Sequence, residues 1–414
     1  MGTLSVDKIL KTSQGAAEFT LPATDGSAGQ AWISDGSGQL SVGEVTAAGI
    51  ATDAVGSSEI AANAITPAQM ANSAFLANRN MVINGAMQIA QRGTTTTTAG
   101  FIVDRIESAV SAVDELVCTY SQDSSGADGF ANSYKINVDT AESAIAVDEY
   151  QRVTYKIEAQ DCQDLKYGNA AAESVTLSFY VKSNVTGTYA FCIFGDDGSR
   201  LIGGTYAISA SATWEKKTLT FAGDTAGTMN DDNGSGLRLC FWLIAGTNFT
   251  SGSTNTSWMA SVTGSVAYGH AVNLGSAVNN YWQITGVQLE RGTTATPFES
   301  KTYAQELQAC LRYFEKESLA QTYMVSNGDN AGFMAYDLNW GVKKRATPTV
   351  TFSTWSVYNY ITLLGDQSTA NSWSVAGTFN SDSANVGASK ASHGLGNLFT
   401  MRLTNVTLSA DAEI

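Results

Sequence analysis

Residues that could support catalysis are few in this chain of 414 residues. The two histidines, His270 and His393, fall in different predicted domains, so no Ser-His-Asp or Cys-His arrangement can be proposed with a named base. Among the 38 acidic residues, nothing in the sequence selects a pair as glycosidase acid and base. We therefore expect no catalytic residues, with glycan cleavage by two carboxylates as the open alternative.

Aromatic residues near the carboxyl end offer a binding chemistry instead. Flat rings with a polar tip can stack on sugar faces while neighbouring Asn, Asp and Ser side chains bond the hydroxyl groups. The predicted glycan-binding residues are Trp355, Tyr358, Tyr360 and Trp373. Trp355 is out of register with Tyr358 and Tyr360, so the two groups should face opposite sides of a strand unless a bulge intervenes. The alternative is that these rings belong to the core.

Metal and cofactor sites are not expected. Asp196-Asp197 and the stretch 230–233 could offer oxygens to calcium, but neither has the ligand spacing of a calcium loop, and both suit turns. The five cysteines are odd in number and too widely spaced for a zinc knuckle or a redox pair, so we expect buried free thiols.

The elements that must position these side chains are mainly strands. In residues 175–182 four apolar residues at odd positions should face inward, while Thr176, Ser178 and Lys182 face outward. Further strands are predicted at 189–194, 218–221, 237–244 and 281–289, the last with a bulge at Gly286. With turn signals between them, they predict an antiparallel sandwich.

One short helix is predicted after this sandwich. Thr302 to Gln305 has the pattern of a capping box. The predicted apolar face of the helix contains Tyr303, Leu307, Cys310, Leu311 and Phe314. Strands should resume from about Tyr323 and form a second, smaller sandwich.

Large apolar residues recur every five positions in residues 46–79. They are Ile50, Val55, Ile60, Ile65, Met70 and Phe75. A step of five matches neither a strand nor a helix, so one copy cannot keep these side chains on one face. We predict a spacer of parallel chains, most simply a homotrimer with these residues in its core. The alternative is a disordered linker rich in Ala, Ser and Thr.

Charge narrows the range of partners. The formal net charge of −15 disfavours nucleic acid and anionic lipid. The longest apolar run, Leu239 to Ala245, is too short to span a bilayer and fits a strand buried on both faces. No export signal is visible at the amino end. Ahead of the spacer, repeated Asp-Gly turns predict a hairpin with strands at 31–33 and 40–42.

Three segments resemble bacteriophage tail fibres and related receptor-binding virion proteins. They are the stretch 21–40 with its Asp-Gly turns, the spacer, and Asn84-Gly85-Ala86-Met87 leading to Gln91-Arg92-Gly93 and Asp104-Arg105. The stretch 286–299, with Gly286-Val287-Gln288-Leu289-Glu290-Arg291-Gly292, is similar to the end of carbohydrate-binding-like jelly rolls in the same proteins.

The resemblance implies a mainly β, elongated homotrimeric fibre. Residues 1–45 would attach to other tail or virion proteins, 46–79 form the spacer, 80–300 a carbohydrate-binding-like jelly roll, and 301–414 a short helix and a distal β-rich receptor-binding domain. The implied role is non-enzymatic binding of a host surface glycan or outer-membrane component, without insertion into a membrane. The implied location is the phage tail, after assembly in the host cytoplasm. The alternatives are a capsid-attached fibre, a tail adaptor without a receptor role, or a glycan-cleaving tailspike.

Overall fold

A computed structural model describes residues 78–111, 113–326, 332–352, 356–360, 374–390 and 399–413, together with four short strands near the amino end. The chain divides into two compact units, residues 1–72 and 73–414.

The first unit contains two antiparallel hairpins. Strand β1 (Lys8–Leu10) pairs with β2 (Glu18–Thr20), and β3 (Ala31–Ser34) pairs with β4 (Leu40–Gly43). The second pair confirms the strands predicted beside the Asp-Gly turns. All six predicted spacer-core residues, from Ile50 to Phe75, lie outside the described residues.

The second unit is built around a sandwich of two antiparallel sheets with six strands each. In spatial order, sheet A contains β13 (Glu215–Phe221), β10 (Val175–Ser183), β16 (Tyr281–Arg291), β8 (Ser133–Thr140), β7 (Val117–Asp123) and β5 (Thr95–Thr96). Sheet B contains β15 (Met259–Ala260), β12 (Arg200–Ile208), β11 (Gly187–Gly195), β14 (Ser235–Ala245), β9 (Tyr150–Glu158) and β6 (Glu107–Ser111).

Side-chain alternation fixes the register of the sandwich. Val175, Leu177, Phe179 and Val181 of β10 are fully buried between the sheets, as the sequence predicted. Burial of each such side chain contributes roughly 1.5–3 kcal/mol. The pairing of β10 with β16 shifts register opposite Gly286, which confirms the predicted bulge. Gly286 has φ of +61°, and a Cβ atom there would lie 2.6 Å from the Phe130 ring.

The predicted helix, α2 (Tyr303–Leu311), begins with the capping box. Thr302 Oγ1 accepts a hydrogen bond from the Gln305 amide at 3.4 Å, and Gln305 Oε1 accepts one from the Thr302 amide at 3.0 Å. Two members of its predicted apolar face were assigned wrongly. Tyr303 is 61% exposed because the helix packs through Glu306 and Cys310, and Phe314 already belongs to the following strand.

The remaining helical segments are short. They are α1 (Thr247–Thr250) and the 3-10 turns Ala159–Leu165, Thr263–Ser265 and Leu274–Ser276. Within the described part of the chain, no helix has the length and apolar character needed to cross a bilayer.

Strands follow α2, as predicted. They are β17 (Phe314–Ser326), β18 (Gly332–Asn339), β19 (Thr349–Phe352), β20 (Ser356–Tyr360), β21 (Ser374–Phe379), β22 (Ser383–Lys390) and β23 (Phe399–Asp411). Strand β23 pairs with β17 on one side and with β19 and β20 on the other. Strand β22 lies between β18 and β21 in a separate sheet of three strands.

The first residues of the sandwich are held against its last strand. The Asn80 side chain donates to Val287 O at 3.0 Å and accepts from the Leu289 amide at 3.1 Å. Glu299 accepts from the backbone amides of Asn78 and Asn80. The Asn80 side chain and the Glu299 carboxylate thus join the two ends of the sandwich.

A buried polar network, the clamp, joins the sandwich to the last residues of the chain. Its core is Asp104, Arg105 and Glu413. Asp104 accepts from the amide and the side chain of Gln91 at 3.0 and 2.6 Å. Arg105 pairs with Glu413, donates to Lys156 O at 2.5 Å and lies 3.5 Å from the Tyr313 ring centre.

A double-mutant cycle tests the clamp. Arg105 is 2% exposed, and a buried charge that loses its partner destabilises a fold by about 3–5 kcal/mol. Glu413→Gln should therefore lower the free energy of unfolding by about 3 kcal/mol, and adding Arg105→Met should recover part of the loss. The measurement is urea unfolding followed by tryptophan fluorescence. Glu173→Gln, at the exposed pair with Lys166, is the control and should cost less than about 1 kcal/mol. An unchanged Glu413→Gln midpoint contradicts the clamp.

His270 makes stability depend on pH. Burial lowers its pKa to about 4, and its Nδ1 accepts from the Ala190 amide at 3.2 Å. In the unfolded chain the imidazole of His270 takes up a proton near pH 6.5. The contribution of His270 to the free energy of unfolding is therefore present above pH 6.5 and is lost as the pH falls towards 4. We expect a loss of about 2 kcal/mol between pH 7.5 and 5 that is absent in His270→Gln. Unfolding curves of both proteins at several pH values measure it, and identical slopes would refute the assignment.

Candidate ligand-binding face

The outer face of sheet B is closed. Cys192, Cys240 and Trp242 point away from the core between the sheets, yet all three are fully buried. Residues from the segment after β14, including Phe249, Val266 and Ala267, pack over them. The run predicted to be buried on both faces, Leu239 to Ala245, is buried along all but its last residue. This face offers no binding surface at its centre.

The outer face of sheet A carries half-buried aromatic rings beside lysines. On β10, Tyr180 lies between the inward Phe179 and Val181, and Lys182 follows Val181, so both face outward. Lys135 occupies the equivalent outward position on β8, between Tyr134 and Ile136. The whole group, which we call the lysine–aromatic patch, is Lys135, Tyr180, Lys182, Trp214, Lys216 and Tyr281.

Strand register brings the patch together. Lys182 is opposite Gln283, and Gln283 is opposite Lys135, so the two lysines flank β16 in one row. Neighbouring strands lie about 4.8 Å apart, which places the two backbones roughly 10 Å from each other. In the next row, Tyr180 is opposite Lys216 on β13.

Each lysine of the patch lies over an aromatic ring. Lys182 Nζ lies 4.9 Å from the centre of the Trp214 ring. Lys135 Nζ lies 5.4 Å from the centre of the Tyr281 ring, and Lys216 Nζ lies 6.0 Å from that of Tyr180. Cations are attracted to the ring faces at these distances. These contacts favour defined side-chain positions on an open sheet surface.

The charge of the patch is mostly positive. Lys135 has a carboxylate partner, Asp123, at 3.4 Å. Among the described residues Lys182 and Lys216 have no ion pair. Desolvation lowers the pKa of Lys182; the Asp123 charge raises it, and Lys135 lowers it further. Glu215 is held by Lys217 at 2.6 Å, and Asp139 bonds Thr119 and Asn137.

One edge of the patch is bounded by two phenylalanines. The Phe130 ring packs against Tyr180 with centres 5.4 Å apart and against Phe298 at 4.9 Å. The outward residues beyond them on β16, Thr285 and Gln288, are fully buried. The open surface is therefore the part near Lys182 and Lys135.

None of the residues predicted from the sequence to bind glycans belongs to the lysine–aromatic patch. Tyr358 and Tyr360 lie on β20, where they are opposite Arg402 and Thr400 of β23. Trp355 and Trp373 lie outside the described residues. The distal site thus stays a prediction.

Other residues singled out in the sequence have structural roles here. All five cysteines are buried free thiols, as predicted. Asp196 bonds Arg238 at 2.7 Å and Ser235 at 2.6 Å, and Asp197 bonds Asn230 at 2.8 Å. Within the described ranges, no three metal-binding side chains form a group.

A concavity of about 750 Å³ lies beside α2. Its lining includes Gln305, Gln308 and Arg312, together with Asn78 and Lys301. Arg312 is already engaged in two 2.7 Å bonds to buried Glu158. Burial alone raises the pKa of Glu158, but the bonds from Arg312 lower it. The lining contains one aromatic side chain, the buried Tyr313, so the groove lacks the half-buried rings of the patch.

Comparison with known proteins finds likeness only in three dimensions. No family model and no curated protein sequence matches the chain. Among solved structures, the enzymatically active domain of tailspike protein 4 of bacteriophage CBA120 shares 16% identity at a TM-score of 0.29, covering 51% of this chain and 21% of that one. The family 11 carbohydrate-binding module from Clostridium thermocellum, in complex with a mixed-linked tetrasaccharide, shares 11% identity at a TM-score of 0.24, covering 49% and 97%.

A third similar structure is the carbohydrate-binding module TmCBM61 in complex with β-1,4-galactotriose. It shares 7% identity at a TM-score of 0.22, covering 51% of this chain and 99% of that one. Likenesses at such scores do not assign a ligand or an activity to this chain.

Chemical labelling tests the patch in solution. Because the pKa of Lys182 is lowered, it should react with acetic anhydride at a lower pH when folded than in the denatured chain. Competitive labelling read by mass spectrometry at pH 7 to 11 gives both titration curves. Complete protection of Lys182 in the folded protein would show that the face is covered.

Proposed function

We propose that this chain is a non-enzymatic fibre protein of a phage virion, attached by its amino end and binding a host surface glycan. The observation that carries the binding role is the lysine–aromatic patch on the outer face of sheet A. Half-buried rings of Tyr180, Trp214 and Tyr281 stand beside hydrogen-bond donors on rigid strands. Rings supply stacking surface, and neighbouring polar groups bond sugar hydroxyls.

The virion role is supported by the sequence. Its basis is the resemblance of three segments to tail fibres: the stretch 21–40, the spacer at 46–79 with its five-residue repeat, and the segment around Asn84. A homotrimer would present three patches per fibre, and several weak contacts to a repeating glycan together give high avidity. Trp355, Tyr358, Tyr360 and Trp373 would add a second, distal contact.

Glycan cleavage is the rival function, and the described residues give it little support. Glu142 and Glu149 form a carboxyl pair, but both are buried: their exposed fractions are 5% and 3%, respectively. Desolvation raises the pKa of the Cys162 and Cys310 thiols, so neither is an activated nucleophile. His270 is half-buried, and its Nδ1 accepts a hydrogen bond from the backbone amide of Ala190. We therefore favour binding without hydrolysis.

Removing a ring of the patch should weaken glycan binding. Trp214→Ala and Tyr180→Ala should each reduce affinity for a bound polysaccharide by about tenfold, because each removes a stacking surface. Affinity electrophoresis of the full chain in gels containing host polysaccharide measures the change. Tyr303→Ala, at a 61% exposed tyrosine on α2, is the matched control and should leave binding unchanged. Equal losses in all three variants would count against the patch.

Two further measurements separate the alternatives. Release of reducing ends from the polysaccharide would refute the binding-only proposal. Light scattering should give three times the 43.6 kDa mass of one chain, whereas a monomer would remove the basis for the fibre.

A further inference from the structure

We propose that the lysine–aromatic patch selects anionic saccharides, in which a charged group and a sugar ring belong to the same ligand. The inference rests on the proposed glycan-binding function and adds the class of sugar. It follows from three observations about the patch: its charge, its geometry and the preorganisation of its side chains.

The charge of the patch is opposite to that of the chain. The chain has 38 acidic and 23 basic residues, yet among the described residues Lys135, Lys182 and Lys216 form one ion pair, that of Lys135 with Asp123. A neutral sugar gains nothing from a lysine cluster that other donors could not supply. A ligand anion, in contrast, would form charge-assisted hydrogen bonds, which are roughly twice as strong as neutral ones.

The geometry suits one anion between two ammonium groups. Lys182 and Lys135 flank Gln283 in one row, and their flexible stems start from backbones roughly 10 Å apart. Gln283 is 2% exposed and donates to Ser133 Oγ at 3.3 Å, so it forms a fixed floor between the two lysines. Since the two lysines flank β16 in one row, the charge of Lys135 adds to desolvation in lowering the pKa of Lys182.

Ring contacts hold the lysines near this position before any ligand arrives. Lys182 lies over Trp214 and Lys135 over Tyr281, so the two rings border the same row of charges. Lysines that are already ordered lose less conformational freedom on binding.

The test uses the full chain and six named polysaccharides. Alginate, polygalacturonate and hyaluronan carry carboxylates, whereas dextran, mannan and galactan are neutral. We expect binding to be confined to the carboxylated set, to weaken as salt rises, and to disappear when the bound polymer is carboxyl-reduced. Lys182→Gln with Lys135→Gln should weaken it by at least about tenfold.

Lys166→Gln together with Lys301→Gln is the matched control. It removes the same charge from two lysines elsewhere on the same unit, so it should leave binding within about twofold if the effect is local. An equal loss in both double variants would mean that only the overall charge matters and would overturn the inference.

The remaining outcomes distinguish the two proposals. Binding to neutral polymers that depends on Trp214 but not on the lysines would overturn the anionic preference and leave glycan binding intact. Absence of binding to all six polymers would overturn the anionic preference, whereas glycan binding itself is decided by the gels containing host polysaccharide. A changed mass of the Lys182→Gln, Lys135→Gln protein in light scattering would identify the patch as an interface between copies and overturn the inference.

Discussion

The rest of the second unit depends on one constraint: the buried polar groups at one end of the sandwich must find hydrogen-bond or ion-pair partners. A buried charge without a partner is costly, and the partners of Arg105 and Glu158 come from distant parts of the sequence. Glu413 reaches Arg105 from the end of the chain, and Arg312 reaches Glu158 from the end of α2. The start of the sandwich, the end of β9, the end of α2 and the last residues of the chain must therefore meet at one place.

This constraint explains why the residues that carry the resemblance do not form the candidate site. Asn84 bonds the backbone of Ile89 and Asp104, and Gln288 and Glu290 bond each other and the segment that follows. Their polar atoms are used inside the protein. They therefore hold the ends of the sandwich together, whereas the candidate site consists of outward side chains elsewhere on sheet A.

The sequence predicted elements better than it predicted the site. Alternation placed Lys182 on the outward side of β10 correctly, and the capping box at Thr302 marked the start of α2. The association of Lys182 with Lys135 and Trp214 had no signal in the sequence, because it depends on which strands pair and in which register. Tyr303 was placed wrongly because periodicity defines a helix face but not how far the neighbouring surface extends.

The two outer faces of the sandwich differ because the strands behind them differ in the pattern of their side chains. Around Trp242, β14 has apolar residues on both sides, so its outer face must be covered, and the segment after it packs there. Strand β10 alternates, so its outward Tyr180 and Lys182 need no cover. Aromatic rings on such an uncovered strand expose apolar surface to water, which is unfavourable unless other groups shield the rings. In this molecule lysine stems provide the shielding, and the ammonium groups that come with them give the same surface its positive charge.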